Sequence, residues 1–235
     1  MVDSMDDGAW RSLQSCVDNA IAGTTKGASM VVSGLPGSGK STLLRRLAAH
    51  VQSRDQQPDA APRPIHVVQI NAMELQSTSL VLRTLARQVA QQANFSTDLD
   101  AVAALDAAFG EQPVVTTPFN VGGVMYRCVF LDDVDVLLDG FDDTSLCRLL
   151  QWTCAPTSSL VLVATTTAPE MLRMYLDHAV RHGFLQSNDI LKMEAVPPCT
   201  HDVLYKILSQ RVEPSSSTAA VVLMDAMALM YVARK

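Results

Sequence analysis

The segment Gly34–Thr42 has the residue types and the spacing of a loop that binds phosphate groups. It contains the run Gly-Leu-Pro-Gly-Ser-Gly-Lys-Ser-Thr, which satisfies the pattern G-x-x-x-x-G-K-[ST] at every required position. An apolar run at 30–32 precedes the segment, and an amphipathic helical pattern at 43–51 follows it. This strand–loop–helix order predicts a site for the phosphates of a nucleoside triphosphate.

Each residue type in the segment suits a dense negative charge. The glycines let the backbone approach phosphate groups closely, and successive backbone N–H groups form a concave anion site. Pro36 restricts the loop backbone. Lys40 is placed to reach the β- and γ-phosphates, and the hydroxyl of Ser41 is placed to bind Mg²⁺. We therefore expect a nucleoside triphosphate with Mg²⁺, and the candidate nucleotide-binding residues are Gly34, Leu35, Pro36, Gly37, Ser38, Gly39, Lys40, Ser41 and Thr42.

A second segment supplies carboxylates for the same site. Three apolar residues, 129–131, lead directly into Asp132 and Asp133. In open α/β sheets, ligands lie at the carboxyl ends of the strands. We expect Asp132 to coordinate magnesium, directly or through water, and Asp133 to orient or activate the attacking water. The remaining acids nearby are interpreted as turn and surface residues, and they are Asp135, Asp139, Asp142 and Asp143.

The pattern of apolar residues predicts the elements that position these segments. Helical spacing is found at 9–22, 43–51, 80–93, 99–109, 146–152, 200–211 and 218–234. Strands are predicted at 30–32, 65–70, 124–131 and 160–165, with a short last strand at 190–193. Apolar strands that alternate with helices indicate a parallel sheet covered on both faces. The expected fold is therefore α/β, a three-layer αβα P-loop domain.

Length, charge and cysteine usage exclude several classes of protein. A chain of 235 residues suits one to two domains. No apolar run is long enough for a membrane span, and the acidic start of the chain has no features of a signal peptide, so we expect a protein that is not secreted. The net charge of −6 predicts weak contact between the isolated chain and DNA. Five cysteines without metal-like spacing indicate buried, reduced thiols rather than a zinc site.

From about Met30 onward the chain resembles the AAA+ ATPases, and within them the origin recognition complex large-subunit and archaeal origin-initiator family. The resemblance begins with the loop described above. After the second predicted strand, 70–75 resembles the family's INGM-x-L segment, and 130–137 resembles its Walker B segment DE-x-D-x-L. Trp152 and Pro156 then lead into the 160–164 strand much as a tryptophan and a proline do there.

The resemblance implies three further roles. Thr167 falls near the family's sensor-one asparagine, and Arg181 falls where the family has an arginine finger that reaches a neighbour's ATP. An exposed surface arginine is an equally good interpretation of Arg181. Asp133 stands where the family has a glutamate, and its side chain is one methylene shorter. The implied domains are an AAA+ nucleotide-binding αβα domain at 1–195 and an incomplete helical lid at 196–235, without the family's winged-helix domain.

These features favour an ATP-binding subunit of a DNA replication origin recognition or initiator complex. ATP would stabilise assembly with other AAA+ initiator subunits on duplex DNA, with slow or no hydrolysis and at most a weak ATPase activity. Such a protein is nuclear in a eukaryote and cytoplasmic otherwise. Two alternatives remain open: a P-loop small-molecule kinase, which needs a lid with several arginines, and a non-catalytic scaffold that keeps ATP as a structural ligand.

Overall fold

The structure is a computed structural model of the chain. It describes residues 7–22, 28–55, 65–90, 95–109, 126–138, 145–155, 158–187 and 191–212. The helix predicted at 218–234 lies outside these residues, as do Asp139, Asp142 and Asp143.

Five parallel strands form one sheet in the described part of the chain. The strands are β1 (Ala28–Ser33), β2 (Ile65–Asn71), β3 (Tyr126–Asp132), β4 (Leu160–Thr166) and β5 (Lys192–Ala195). Their order across the sheet is β2-β3-β4-β1-β5. Strand β4 therefore lies between β1, which leads into the phosphate-binding segment, and β3, which ends at Asp132. This order brings the two predicted halves of the site to the same edge of the sheet.

Helices connect the strands and cover both faces of the sheet. They are α1 (Asp7–Ile21), α2 (Lys40–Asp55), α3 (Ala72–Leu75), α4 (Thr78–Ala90), α5 (Asp98–Phe109), α6 (Ser145–Cys154), α7 (Pro169–Arg181) and α8 (His201–Val212). A 3₁₀ helix, Val134–Leu138, follows β3. The three-layer α/β fold that the sequence predicts is confirmed.

Alternation along the strands divides the core into two clusters. In β3, Val129 and Leu131 pack with residues of α4, α5, α6 and α7. Cys128 and Phe130, on the opposite face, pack with residues of α1 and α2. Successive side chains of a strand point to opposite faces of the sheet, so a strand buried on both sides must be apolar at every position. This requirement explains the uninterrupted apolar runs in the sequence.

Two elements differ from the pattern-based expectation. The helix α7 lies in a stretch for which no element was predicted, although Leu172, Leu176 and Ala179 form a buried stripe at helical spacing. The last strand begins at Lys192 rather than at 190, and within the part of the chain that the structure describes it pairs with β1 alone. It is an edge strand whose residues are exposed or half-buried, so its apolar signal is weak.

The burial of the cysteines agrees with the sequence-based expectation only in part. All five cysteines lie in the described ranges, and none of them forms a disulfide. Cys128 and Cys147 are buried as expected, and burial raises the pKa of the Cys128 thiol to about 12. The expectation of burial was wrong for Cys154, which is exposed at the end of α6. Among the residues that the structure describes, no helix is both long and apolar enough to cross a membrane.

The central strand gives a direct test of the packing. Leu162 lies in β4 and is 1% exposed, whereas Leu99 at the start of α5 is 81% exposed. Leu162→Ala leaves a cavity in the core and should lower the free energy of unfolding by about 2–5 kcal/mol. The matched variant Leu99→Ala should change it by no more than about 0.5 kcal/mol. Urea denaturation measures both, and equal effects of the two variants would contradict the assigned core.

Candidate nucleotide-binding site

The segment between β1 and α2 adopts a backbone conformation that depends on two of its glycines. Gly37 has φ +80° and Gly39 has φ +95°, values that residues with a side chain rarely adopt. The N–H of Ser38 donates to the carbonyl of Leu35 at 3.1 Å, which closes a tight turn. Helix α2 then begins at Lys40, so its unpaired N–H groups face the space beside the turn.

Lys40 is a buried cation held by the loop itself. It is 5% exposed, and its Nζ donates to the carbonyl oxygens of Gly34 at 2.8 Å and Leu35 at 3.0 Å. Burial of an ammonium group is costly unless the group is hydrogen-bonded. The two carbonyls satisfy part of its donor capacity and keep a positive charge next to the N-terminus of α2. This arrangement suits an anion.

Gly34 and Ser38 shape the floor of the loop. A Cβ added to Gly34 would lie 2.7 Å from the carbonyl oxygen of Val196 and 2.9 Å from Oγ of Ser38. Only a residue without a side chain fits there. Oγ of Ser38 is buried and has no hydrogen-bond partner among the described residues. Buried hydroxyls normally have partners, so this hydroxyl has unused capacity for a ligand.

Ser41 and Asp132 meet although they are far apart in sequence. The Ser41 hydroxyl donates to Oδ1 of Asp132 at 3.0 Å. The hydroxyl of Thr165, in β4, donates to the same oxygen at 2.6 Å. The start of α2 and the end of β4 therefore both contact the carboxylate at the end of β3. The sequence analysis assigned Ser41 and Asp132 to the same metal ion, and it did not single out Thr165.

Asp133 has an unusual backbone and a perturbed carboxyl group. Its φ is +56°, in the left-handed region that aspartate tolerates better than most residues. Its N–H donates to Oγ1 of Thr165 at 2.8 Å. Partial burial and then the charges of Asp132 and Asp135 raise the pKa of the Asp133 carboxyl, while the charge of Lys40 lowers it.

The structure corrects the interpretation of Asp135 as a turn and surface residue. Asp135 is half-buried in the 3₁₀ helix after β3. It accepts hydrogen bonds from the hydroxyl of Thr166 and from both the N–H (2.8 Å) and the hydroxyl (2.6 Å) of Thr167. The hydroxyl of Thr167 thus bonds to Asp135, and the hydroxyl that contacts Asp132 belongs to Thr165. A run of three threonines at the end of β4 was the signal available in the sequence.

The other predicted residues lie at the periphery. Leu35 is 61% exposed, and Pro36 and Thr42 are also exposed. Arg181 is the exposed last residue of α7. Within the described ranges, no hydrogen bond or ion pair joins Arg181 to the loop or to the aspartates. Its assignment as an arginine finger remains a prediction.

The donor set fits a triphosphate with magnesium. The N-terminus of α2, the charge of Lys40 and the free capacity of Ser38 are complementary to phosphate oxygens. The Ser41 hydroxyl and the Asp132 carboxylate are oxygen donors of the kind that Mg²⁺ prefers. In the described part of the chain, no group of three or more His, Cys, Asp or Glu side chains could hold a metal ion. Mg²⁺ at nucleotide sites usually has one or two protein ligands beside phosphate oxygens and water.

Comparison with known proteins identifies the class. Residues 24–172 match the AAA domain family, which is more than half of the chain. The chain therefore belongs to the AAA domain family. This result confirms the AAA+ resemblance inferred from the loop and the Walker B segment. The search of curated proteins found no match.

Solved structures narrow the fold further. The chain is similar to a chain of Drosophila ORC bound to DNA, with TM-score 0.70 and 19% identity over 97% of this chain and 50% of that one. It is also similar to Aeropyrum pernix ORC1 in complex with DNA, with TM-score 0.65 and 18% identity over 88% of this chain and 49% of that one. A third similarity is to Aeropyrum pernix ORC2 in its ADPNP–ADP complexes, with TM-score 0.59 and 17% identity over 91% of this chain and 54% of that one. These TM-scores show a shared fold, and the chain spans about half the length of the structures it matches.

A substitution at Gly34 tests the geometry of the loop. Gly34→Ala places a methyl group against the Val196 carbonyl and should lower stability by about 1–3 kcal/mol. It should also abolish stabilisation by Mg-ATP, because the loop must shift to accommodate the added methyl group. The control Gly183→Ala has open space around the added Cβ and φ +75°, so it should lose stability without losing the ATP effect. Thermal melts with and without Mg-ATP measure both; an ATP effect retained in Gly34→Ala would contradict this geometry.

The raised pKa of Asp133 predicts a pH-dependent gain of stability when its charge is removed. The folded state holds this proton more tightly than the unfolded chain, so stability is lost as pH rises from about 3.9, the ordinary aspartate value, through the raised pKa. Asp133→Asn should therefore be more stable than the original at pH 7, and the gain should shrink below pH 4. The variant Asp98→Asn should instead be less stable than the original at pH 7, and this loss should shrink below pH 4. The reason is that hydrogen bonds from Ser79 and Arg83 lower the pKa of the Asp98 carboxyl. Urea denaturation at both pH values checks the signs.

Proposed function

We propose that this chain is an ATP-binding subunit of a DNA replication origin recognition or initiator complex. ATP stabilises its assembly with other AAA+ initiator subunits on duplex DNA, and hydrolysis is slow or absent. The observation that carries the proposal is the contact between Ser41 and Asp132. It joins the phosphate-binding loop to the Walker B strand in a fold shared with DNA-bound ORC structures.

The geometry supports specific roles for the loop residues. The buried Nζ of Lys40 donates to the carbonyl oxygens of Gly34 and Leu35. A phosphate oxygen bound in the loop can replace one of these two acceptors. Ser41 and Asp132 would hold Mg²⁺, which would supply positive charge next to the phosphates. The nine residues Gly34–Thr42 are proposed as the nucleotide-binding residues, with Ser41 and Asp132 as the metal ligands.

Slow hydrolysis follows from the position of Asp133. Its side chain is shorter than the glutamate of the resembling family, and its backbone is fixed by the bond to Thr165. A base that must orient water needs to come within about 2.6–3.2 Å of it, so a shorter carboxylate is a poorer fit. Asp133 remains the proposed catalytic carboxylate, with Thr167 and Arg181 as proposed catalytic partners.

Assembly and location complete the proposal. Arg181 lies at the exposed end of α7, where a permanent, planar charge can reach a neighbouring subunit. The net charge of −6 assigns DNA contact to the assembled complex rather than to this chain alone. The proposed domains are 1–195 and 196–235. The complex acts in the nucleus of a eukaryote or in the cytoplasm otherwise.

Binding and turnover are tested together on the purified chain. Mg-ATP at about 100 times its Kd should stabilise the folded state by about 2.7 kcal/mol, and Lys40→Ala should remove this effect. ATP turnover should be slow or undetectable, and Asp133→Glu should increase it. A melting temperature insensitive to Mg-ATP would overturn the proposal. Rapid turnover that is unchanged in Asp133→Glu would overturn the slow-hydrolysis part alone.

Assembly needs a separate measurement. The affinity-tagged chain is recovered from its source cells with Mg-ATP or with EDTA, and replication-initiator subunits are identified by mass spectrometry. They should be present with Mg-ATP, reduced with EDTA and reduced in Arg181→Ala. The control Arg173→Ala removes another exposed arginine of α7, which pairs with Glu170 at 3.2 Å, and should have no effect. Recovery without any initiator subunit would contradict the assembly role.

A further inference from the structure

Two histidines lie one turn apart at the end of helix α7. His178 belongs to the helix, and His182 is the residue that caps its C-terminus. Residues four positions apart lie on the same face of a helix. Their ring centroids are 4.2 Å apart, and the two ring planes make an angle of 39°. His182 is exposed and His178 is half-buried, so ions in solution can reach the pair.

The backbone at the end of α7 holds these two residues in a fixed relation. The N–H of His182 donates to the carbonyl of His178 at 3.0 Å. Gly183 then has φ +75°, and the N–H of Phe184 donates to the carbonyl of Ala179 at 2.8 Å. A left-handed glycine followed by this bond is the Schellman motif, which ends many helices in an ordered way. Both histidines are therefore part of a regular helix end.

Tertiary contacts anchor the segment that follows the helix. The side-chain amide of Gln151, in α6, donates to the carbonyl of Phe184 at 2.6 Å, and Leu185 is buried in the core. The ring of Phe184 lies 6.4 Å from the ring of His182 and is inclined to it by 27°. An anchored side chain loses less conformational entropy when it binds a ligand. The pair is thus prepared for a shared ligand.

Two imidazoles at this spacing are a chelating pair for a divalent transition-metal ion. Imidazole nitrogen suits Zn²⁺, Cu²⁺ and Ni²⁺, whereas Mg²⁺ prefers oxygen ligands. The H-E-x-x-H helices that bind zinc also place their two histidines four positions apart on one face. Each ring has two nitrogens, so one can bind a metal while the other keeps a hydrogen-bond partner.

The observed ring geometry needs only a small adjustment to bind a metal. With Zn–N bonds of about 2.0–2.1 Å, two imidazoles on one tetrahedral ion have ring centroids about 5 Å apart. The rings of His178 and His182 are 4.2 Å apart, and a rotation of the exposed His182 side chain can supply the difference. The C-terminal end of α7 carries a partial negative charge that favours a cation. The charge of Arg181 acts in the opposite direction.

We propose that His178 and His182 form a binding site for a divalent transition-metal ion, with Zn²⁺ as the representative of this class. Among the residues that the structure describes, no third His, Cys, Asp or Glu completes the pair, so water fills the other positions of the ion. The site lies at the end of α7 and uses none of the residues assigned to Mg²⁺. The proposal does not depend on nucleotide binding or on the proposed function.

Isothermal titration calorimetry of the full chain with Zn²⁺ tests the site. The titration is made in an excess of Mg²⁺ and without nucleotide, because phosphate groups also bind divalent metals. The variants are His178→Ala, His182→Ala and the double variant. His201→Ala is the matched control, since it removes another exposed histidine, which pairs with Asp202 at 2.9 Å. Cys154→Ser removes the exposed thiol, which is the competing kind of zinc ligand.

Each single histidine variant of the pair should weaken Zn²⁺ binding by at least about tenfold, since even the loss of an outer-shell partner costs about 10–100-fold. His201→Ala and Cys154→Ser should bind Zn²⁺ as the original chain does. Circular dichroism checks the fold of each variant, and the exposed His182 provides the test if His178→Ala does not fold.

Three results would overturn the metal site. They are an original chain that binds no Zn²⁺, an affinity that is unchanged in the double variant, and a loss in His201→Ala or Cys154→Ser as large as in the pair. Stabilisation by Mg-ATP is measured on the same proteins and should be equal in all of them. The proposed function therefore stands or fails by its own measurement.

Discussion

The hydrogen bonds that converge on Oδ1 of Asp132 are the interaction on which the site depends. Ser41 reaches this oxygen from the start of α2 and Thr165 reaches it from β4. The carboxylate stands at the end of β3, so the contact holds three separate elements in register. A charged group at the sheet edge is stable there because polar groups surround it. Ser41 and Asp132 also offer oxygen atoms of the kind that Mg²⁺ prefers as ligands.

The parallel sheet makes this convergence possible. Strand β4 pairs with β1 on one side and β3 on the other, and all three run in the same direction. Their carboxyl ends therefore lie at one edge, where the loop after β1 and the acids after β3 face each other. The apolar core fixes the strands from both faces. The position of each polar residue follows from the point at which its strand leaves the core.

The site also shows local strain and repulsion beside this ordered contact. Asp133 has a left-handed backbone and a carboxyl whose pKa is raised by burial and neighbouring acids. Lys40 offsets part of this repulsion. Charge of this kind is tolerated where a cationic ligand is to be bound, because the ligand removes the repulsion. The arrangement is consistent with a site whose stability increases when its ligand is present.

The sequence by itself determined the loop Gly34–Thr42, the acids after β3 and the alternation of strands and helices. These features are local: glycine conformations, a helix start and apolar runs follow from neighbouring residues. The tertiary structure decided which threonine contacts Asp132 and that Asp135 is bonded to β4. Those contacts join residues about thirty positions apart, and they depend on strand register and on where each strand ends. Sequence patterns place such ends only approximately, so they do not specify which hydroxyl meets which carboxylate.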